Sequence, residues 1–149
     1  MAQLVIWMLD GQRYALPLSV VESAVRAIEV TQLPGAPDIV DGIVNVRGRV
    51  IPVVSMRSRF NLPRRAVALS DQLLIARTPR RLAGFFVDAV DGILDYEKET
   101  VALTDPLAPA GCISGVIRLD DGLILIHDLD RLLTLDEEEA LDGALSSAG

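Results

Sequence analysis

Two apolar runs separated by only two residues constrain the fold of this chain more than any other feature. The first run is Ile39 to Val46 and the second is Arg49 to Val54, with Arg47 and Gly48 between them. Valine and isoleucine dominate both runs, and Gly48 can adopt the positive φ that a tight turn requires. The pattern therefore predicts an antiparallel β-hairpin with Arg47 at its exposed tip.

Prolines and side-chain alternation indicate where this hairpin lies. Pro34 and Pro37 precede the first run and Pro52 lies inside the second. Because proline cannot donate a ladder hydrogen bond, they favour strands near a sheet edge. Ile51 and Val53 alternate with Pro52, which predicts that both side chains face the core.

Further short apolar runs alternate with turn signals such as Asp10-Gly11 and Asp120-Asp121-Gly122. Many short strands with little helix are typical of a β-barrel or β-sandwich. We predict strands at Gln3 to Leu9, Tyr14 to Leu16, Leu73 to Ala76, Leu82 to Val87, Val90 to Asp95, Cys112 to Leu119 and Leu123 to His127; a helical turn at Val20 to Glu22 capped by Ser19; an irregular surface connection at Asn61 to Ser70; and helical segments at Asp128 to Leu133 and Asp136 to Leu145.

Composition sets the scale of the molecule. The chain has 149 residues, of which 50% are hydrophobic, enough for one domain with its own core. We assign residues 1–145 to that domain and 146–149 to a disordered tail. Cys112 is the only cysteine, so no intrachain disulfide can form. With no apolar stretch long enough to span a bilayer and no signal peptide at the start, we expect a cytoplasmic protein.

Charge is distributed unevenly along the chain. The net charge is −7, yet residues 1–90 carry +4 and residues 91–149 carry −11. Nine arginines fall between Arg47 and Arg81, with Asp71 the only acid among them. Such a stripe could bind nucleic-acid phosphates or the carboxylates of a protein partner, or it could be a solvated surface. Only 4% of the residues are aromatic, which suits a packed β interior better than a surface that stacks bases.

The chain contains few groups that could perform catalysis. An enzyme would have to use Ser55, Cys112 or His127, and no phosphate-binding loop or metal-ligand motif accompanies them. His127 is the only histidine, and we expect it at a strand end with its ring satisfied by hydrogen bonds. Cys112 is expected to be a small apolar residue that is buried or half-buried. We therefore predict a protein that is not an enzyme and has no cofactor or metal.

The hairpin and its flanks resemble the CheW family of small adaptor proteins in bacterial chemotaxis. The family pattern is L-P-x-x-P followed by G-I/V-x-N-L-R-G-x-V-I-P-V-V-D-L-R. Ser55 and Met56 replace its usual Asp-Leu, and the resemblance continues over nearly the whole chain. The residues that match are Leu33, Pro34, Pro37, Gly42, Ile43, Asn45, Arg47, Gly48, Val50, Ile51, Pro52, Val53, Val54 and Arg57.

This resemblance implies a mainly β fold of two intertwined SH3-like five-stranded barrel subdomains. The subdomains share one core and are completed by short helices and a C-terminal helix. It also implies a non-enzymatic scaffold that couples the cytoplasmic tip of a chemoreceptor to the regulatory domain of a CheA-type histidine kinase. Such a protein would join receptor arrays at the inner membrane through its partners. An adaptor of a pilus-motility or other chemosensory pathway is the alternative.

The resemblance also implies a receptor-binding site at Val21, Gly42 and Arg47. Val21 would line an apolar groove, Gly42 would form its floor, and Arg47 would meet a polar or acidic group on a receptor helix. From the residues alone, Val21 could instead pack in the core and Arg47 could be an ordinary solvated turn residue. Ser23 and Ala24 replace the Glu and Ile or Val usual in the family.

The kinase-binding side is less defined in the sequence. Members of the family dock the kinase through apolar surface near the barrel ends, in part around the loop that corresponds to Val101 to Gly111. We assign no individual kinase-binding residue.

Overall fold

A computed structural model describes residues 2–26, 28–97, 101–103 and 113–148. Within them the chain forms eleven β-strands and little helix. The strands are β1 (Ala2–Leu9), β2 (Gln12–Pro17), β3 (Val21–Arg26), β4 (Val40–Val46), β5 (Arg49–Val54), β6 (Gln72–Arg77), β7 (Leu82–Val87), β8 (Ala89–Tyr96), β9 (Val101–Leu103), β10 (Ile113–Leu119) and β11 (Gly122–His127). The helices are α1 (Met56–Arg59) and α2 (Leu135–Ala148), with 3₁₀ turns at Leu18–Val20 and Leu129–Arg131.

The described strands form two sheets. The first has the order β8-β1-β2-β11-β10-β9, and the second has the order β3-β6-β7-β5-β4. Parallel pairing joins β2 to β11 and β5 to β7, whereas the other strand pairs are antiparallel. The second sheet uses residues 21–87 and is inserted between the two parts of the first. The prediction of a mainly β fold with two interleaved subdomains is confirmed, with the short β9 as a sixth strand of the first sheet.

Three apolar clusters hold these sheets together. The largest joins Trp7 and Tyr14 of the first sheet to Phe85 of the second, and Leu141 of α2 packs against it. We call this cluster the shared core. Each sheet also encloses a smaller cluster of its own, which includes Ile124 in the first sheet. In the second sheet that cluster is Val44, Val46, Ile51, Val53, Leu73 and Ile75.

From Ile51 to Val54, strand β5 of the predicted hairpin is buried on both faces. Ile51 and Val53 face the interior of the second sheet, which confirms the predicted orientation. Val54 faces the shared core, and Pro52 is also buried. In the sheet order β4 lies at the edge, whereas β5 lies one strand further in. Pro52 is compatible with this position because the bridge to β7 is made at Val53.

Three predicted elements need correction. The helical turn expected at Val20–Glu22 is wrong: the 3₁₀ turn ends at Val20, it has no side-chain cap, and Val21 begins β3. Pairing of Val21 with Ala76 outweighs the local helix signal. The strand at Val90 to Asp95 is expected to continue the sheet of Leu73 to Ala76 and Leu82 to Val87, but the corresponding β8 pairs with β1 and belongs to the first sheet. Helix α2 was expected to end at Leu145, but it continues to Ala148.

No helix in the described part of the chain is both long enough and apolar enough to cross a membrane.

Candidate functional site

The turn between β4 and β5 presents Arg47 to solvent. Arg47 has φ 54° and Gly48 has φ 80°, the positive values that a two-residue hairpin turn of type I′ requires. The Gly48 N–H donates to Asn45 Oδ1 over 2.9 Å, which fixes the turn from one side. The Arg47 side chain is exposed, as predicted.

Arg47 differs from the other eight arginines of the basic stripe. Each of those eight lies within 3.9 Å of a carboxylate, whereas Arg47 has no ion pair among the described residues. Three of the eight partner acids, Glu137, Glu138 and Asp142, come from α2, so part of the acidic C-terminal segment pairs with the basic stripe in the fold. The nucleic-acid hypothesis is therefore weakened, because only one of the nine arginines in the stripe has no ion pair among the described residues. The pairs are Arg49 with Glu22, Arg57 with Asp10 and Asp88, Arg59 with Glu137, Arg64 with Asp41, Arg65 with Asp71 and Asp88, Arg77 with Glu22, Arg80 with Asp142, and Arg81 with Glu138 and Asp142.

An ion pair brings the hairpin tip beside the start of β3. Arg49, the first residue after the turn, lies 2.7 Å from Glu22, which also lies 3.7 Å from Arg77. Val21 precedes Glu22, is half-buried, and packs against the shared core. One side of the Val21 side chain therefore packs against the core. The part that stays exposed lies at the same end of the second sheet as the Arg47 turn.

Gly42 is buried at a close approach of two backbone segments. Thr31 and Ile43 exchange two hydrogen bonds of 2.8 Å beside it. A Cβ atom at Gly42 would collide with Thr31 O and lie 2.7 Å from Val30 Cγ1, and its φ of 151° also favours glycine. This packing requires glycine whatever partner the protein binds.

Ser55, which replaces the aspartate of the family pattern, begins α1. Its Oγ accepts a hydrogen bond of 3.2 Å from the Ser58 N–H, and its side chain is buried. Serine and aspartate are both favoured N-cap residues, so Ser55 can fulfil the capping role of a carboxylate at this position. A hydroxyl engaged in this way is a poor candidate for a nucleophile.

His127 ends β11, as predicted, but the expected hydrogen bonds to its ring are not found among the described residues. The residue is 1% exposed, and neither ring nitrogen has a partner within the described part of the chain. The ring instead meets Trp7 and Phe60 edge-on, with centroids 6.4 and 5.6 Å away. Burial, and secondarily the charge of Arg59, lower the pKa of His127 to about 3. The imidazole is therefore neutral near pH 7.

Sequence reasoning missed a network of charged side chains where the two sheets meet. Arg57 contacts Asp10 at 2.8 Å and Asp88 at 3.2 Å, and Arg65 reaches Asp71 and Asp88. Burial alone would raise the pKa of Asp71, but hydrogen bonds from Arg65 and from the Ala68 N–H hold it below its usual value. The arginines and Asp71 were visible in the sequence, whereas Asp10 and Asp88 lie 47 and 31 residues from Arg57.

Two sequence predictions lie outside the described residues. Cys112 and most of the loop Val101 to Gly111 belong to this part of the chain. Elsewhere, no three His, Cys, Asp or Glu side chains of the described residues are placed to hold a metal ion.

Comparison with known proteins now identifies the family. A family model described as a CheW-like domain matches residues 3–137. The chain belongs to the CheW-like domain family. Chemotaxis protein CheW of Thermotoga maritima is 29% identical over 126 residues, which cover 84% of this chain and 83% of that protein.

One solved structure matches nearly the whole chain, and one further relative matches a shorter part of it. The crystal structure of the scaffolding protein TtCheW from Thermoanaerobacter tengcongensis matches this CheW-like domain with a TM-score of 0.83 and 25% identity, covering 91% of this chain and 94% of that chain. Protein PilI of Pseudomonas aeruginosa is 26% identical over 92 residues, which cover 62% of this chain and 52% of PilI. This CheW-like domain is a chemotaxis adaptor, and its family is one of scaffold proteins rather than enzymes.

Proposed function

We propose that this adaptor couples chemoreceptors to a CheA-type histidine kinase. The receptor's cytoplasmic tip and the kinase's regulatory domain would be its two partners. The observation that carries the proposal is the match of the CheW-like domain over residues 3–137. In this role the protein performs no chemistry and transmits a signal by holding two partners together.

The receptor side of the proposal rests on Val21, Gly42 and Arg47. The exposed Arg47 guanidinium has no ion pair among the described residues, so binding a carboxylate would break no contact in the fold. Exposed Val50 on β5 and half-buried Val21 offer apolar surface nearby for one face of a helix. Gly42 contributes by keeping β4 against Thr31. The kinase-binding residues remain unassigned.

Reversal of the charge at Arg47 tests the receptor side. We expect Arg47→Glu to weaken binding of a receptor-tip fragment by about 2 kcal/mol or more, because like charges then meet at the interface. Thermal unfolding should change little, since the side chain is exposed. Arg118→Glu is a matched control, because Arg118 is an exposed arginine on the first sheet.

Both partners are measured with the same variants. Binding of the kinase regulatory domain should survive Arg47→Glu if the two partners use different surfaces. An intact Arg47→Glu protein with unchanged receptor affinity would remove Arg47 from the site. If the parent protein bound neither partner, the coupling function itself would be wrong.

A further inference from the structure

Between α1 and β6 the chain includes a segment without regular secondary structure, residues 63–70, which we call the strap. All its residues are exposed, with Leu69 at 95% and Val67 at 46%. None of its side chains belongs to one of the apolar clusters that hold the sheets together. Within the described part of the chain, its one backbone-to-backbone hydrogen bond runs from the Asp71 N–H to the Ala68 carbonyl oxygen. The backbones of the strands and helices therefore do not hold the strap in place.

The strap keeps its shape through contacts with its own C-terminal end. Asp71, which directly follows the strap, is buried. Its carboxylate accepts two hydrogen bonds of 2.9 Å from Arg65 and one of 2.8 Å from the Ala68 N–H. These bonds close residues 65–71 into a loop. Because they join the strap only to its own end, they can persist while the strap moves as a unit about that end.

Two arginine side chains connect the strap to the rest of the protein. Arg65 donates a hydrogen bond of 2.6 Å to Asp88, which lies between β7 and β8. Arg64 donates to Ser58 Oγ of α1 over 2.6 Å and to the carbonyl oxygen of Asp38, which precedes β4. Apart from the ion pair of Arg64 with Asp41 at 3.9 Å, these are the polar contacts that join the strap to distant segments among the described residues. The ties that hold the strap down are therefore those of two guanidinium groups.

A cavity of about 330 Å³ lies under the strap. Residues 64–67 of the strap line it from one side, and the half-buried side chains of Val30 and Phe86 line it from the other. A segment that packed closely on the protein would bury its aliphatic side chains and leave no such space. The cavity adjoins the proposed receptor site, because Val30 and Asp41 of its lining flank Gly42.

We propose that the strap is a lid, held closed by Arg64 and Arg65, that opens as a unit while the rest of the protein stays folded. Partly exposed ion pairs, such as that of Arg65 with Asp88, contribute little to stability, and salt weakens them. No apolar packing adds to them, so a measurable fraction of the molecules has the strap open. Opening joins the cavity to solvent beside Gly42. This conformational change goes beyond the proposed receptor site and does not depend on it.

Cleavage of the full chain by chymotrypsin after Leu69 tests the proposal, because proteolysis follows the population of the opened state. Mass spectrometry identifies the fragments 1–69 and 70–149. We expect Asp88→Asn to increase the cleavage rate about fivefold, because it weakens the tie to Arg65 and keeps the side-chain shape. Asp10→Asn is the matched control and should leave the rate unchanged, because Asp10 contacts Arg57 of the same network but does not contact the strap.

The two arginines are tested together. The double variant Arg64→Gln with Arg65→Gln removes both ties and should be cleaved at least as fast as Asp88→Asn. Cleavage of the parent protein should become faster as salt is added, because salt screens the ion pairs. Cleavage of the double variant should not depend on salt in this way.

Three results would overturn the proposal. Equal cleavage rates for Asp88→Asn and Asp10→Asn would show that Asp88 does not hold the strap closed. A parent rate that does not rise with salt would exclude ionic ties. If cleavage depended on urea as steeply as global unfolding does, the strap would open only when the whole protein unfolds. If Asp88→Asn did not fold, the double arginine variant and the salt dependence of the parent protein would decide. None of these measurements involves the receptor, so a failed receptor proposal would not affect them.

Discussion

The Asp10-Gly11 and Arg47-Gly48 turns have nearly the same backbone but opposite uses. Their first residues both have φ 54°, followed by glycines at 78° and 80°. The Asp10 carboxylate turns back onto the protein and contacts Arg57 at 2.8 Å. Arg47 extends into solvent without an ion pair among the described residues. One turn therefore connects parts of the fold, and the other displays a charge.

The residue types make this difference informative. Aspartate is among the few non-glycine residues that adopt the left-handed conformation readily, whereas arginine is not. Turn geometry alone explains Asp10 but leaves Arg47 unexplained. Arginine at this position is therefore consistent with selection for binding, at some cost to stability. Four variants or conditions test this view, from the largest expected effect to the smallest.

If the Arg47 turn is tolerated rather than favoured, the strands must hold the hairpin together. Ile51→Ala should then destabilise the protein by about 2 to 5 kcal/mol, because it leaves a cavity inside the second sheet. Val50→Ala, an exposed change on the same strand, should cost about 0.5 kcal/mol or less. Urea unfolding of both variants provides the measurement. If the two variants had similar free energies of unfolding, the turn rather than the packing of the strands would stabilise the hairpin.

Acid should lower the free energy of unfolding through His127. Its ring packs against Trp7 of β1, the strand that leads into the Asp10-Gly11 turn. The unfolded chain protonates this imidazole near pH 6.5, but the folded chain does so only near pH 3. Stability is therefore retained above about pH 6.5 and lost as the pH falls, by about 2 kcal/mol at pH 5. Trp7, the only tryptophan, reports the transition by fluorescence.

His127→Phe is the control for this pH response. It keeps an aromatic ring among Trp7, Phe60 and Phe85 and removes the titrating group. The loss of stability between pH 6.5 and 5 should disappear in this variant. If it persisted, other groups would be responsible for the acid sensitivity.

Asp10→Asn separates turn preference from ion pairing. Asparagine also tolerates positive φ, so the turn should persist while the charge that contacts Arg57 is lost. We expect a destabilisation of about 0.5 to 1 kcal/mol, because Asp10 is partly exposed and Arg57 keeps Asp88. The difference from the parent protein should shrink at high salt. A difference that is independent of salt would argue against ion pairing.

Arg47→Asn is the matched change in the other turn and should have the opposite sign. We expect a gain of about 0.5 kcal/mol, because asparagine adopts the left-handed conformation more readily than arginine. Receptor binding should weaken at the same time. A loss of stability in differential scanning calorimetry would show that Arg47 supports the fold, and the contrast between the two turns would then fail.

Local signals in the sequence were sufficient to predict the hairpin. The Arg47-Gly48 turn, the inward Ile51 and Val53, and the irregular connection at 61–70 all follow from short-range chemistry. Val21 was misassigned because its strand depends on pairing with Ala76, which is distant in the sequence. The resemblance to a known family, rather than composition, supplied the two-subdomain architecture.

The ion pairs around the site could not be predicted without knowledge of the fold. No pattern shows that Arg81 meets Glu138, or that Arg59 meets Glu137, because 57 and 78 residues separate the partners. From the sequence alone, the arginines of the basic stripe were therefore expected to be free to bind phosphate. In the structure, eight of the nine form ion pairs with carboxylates. The sequence also could not show that the His127 ring has no hydrogen-bond partner within the described residues, since hydrogen bonding depends on neighbours that only the packed interior defines. The roles of Val21, Gly42 and Arg47 in receptor binding stay predictions.

Insertion of the second sheet into the first has a consequence for synthesis on the ribosome. Strands β1 and β2 emerge first, yet their partners β8 and β11 emerge after the whole of the second sheet. Since the N-terminal part of a chain is made first, the second sheet can form while β1 and β2 still lack the strands that pair with their outer edges. A nascent chain stopped before β8 would leave both edges unpaired, and unpaired strand edges are templates for aggregation.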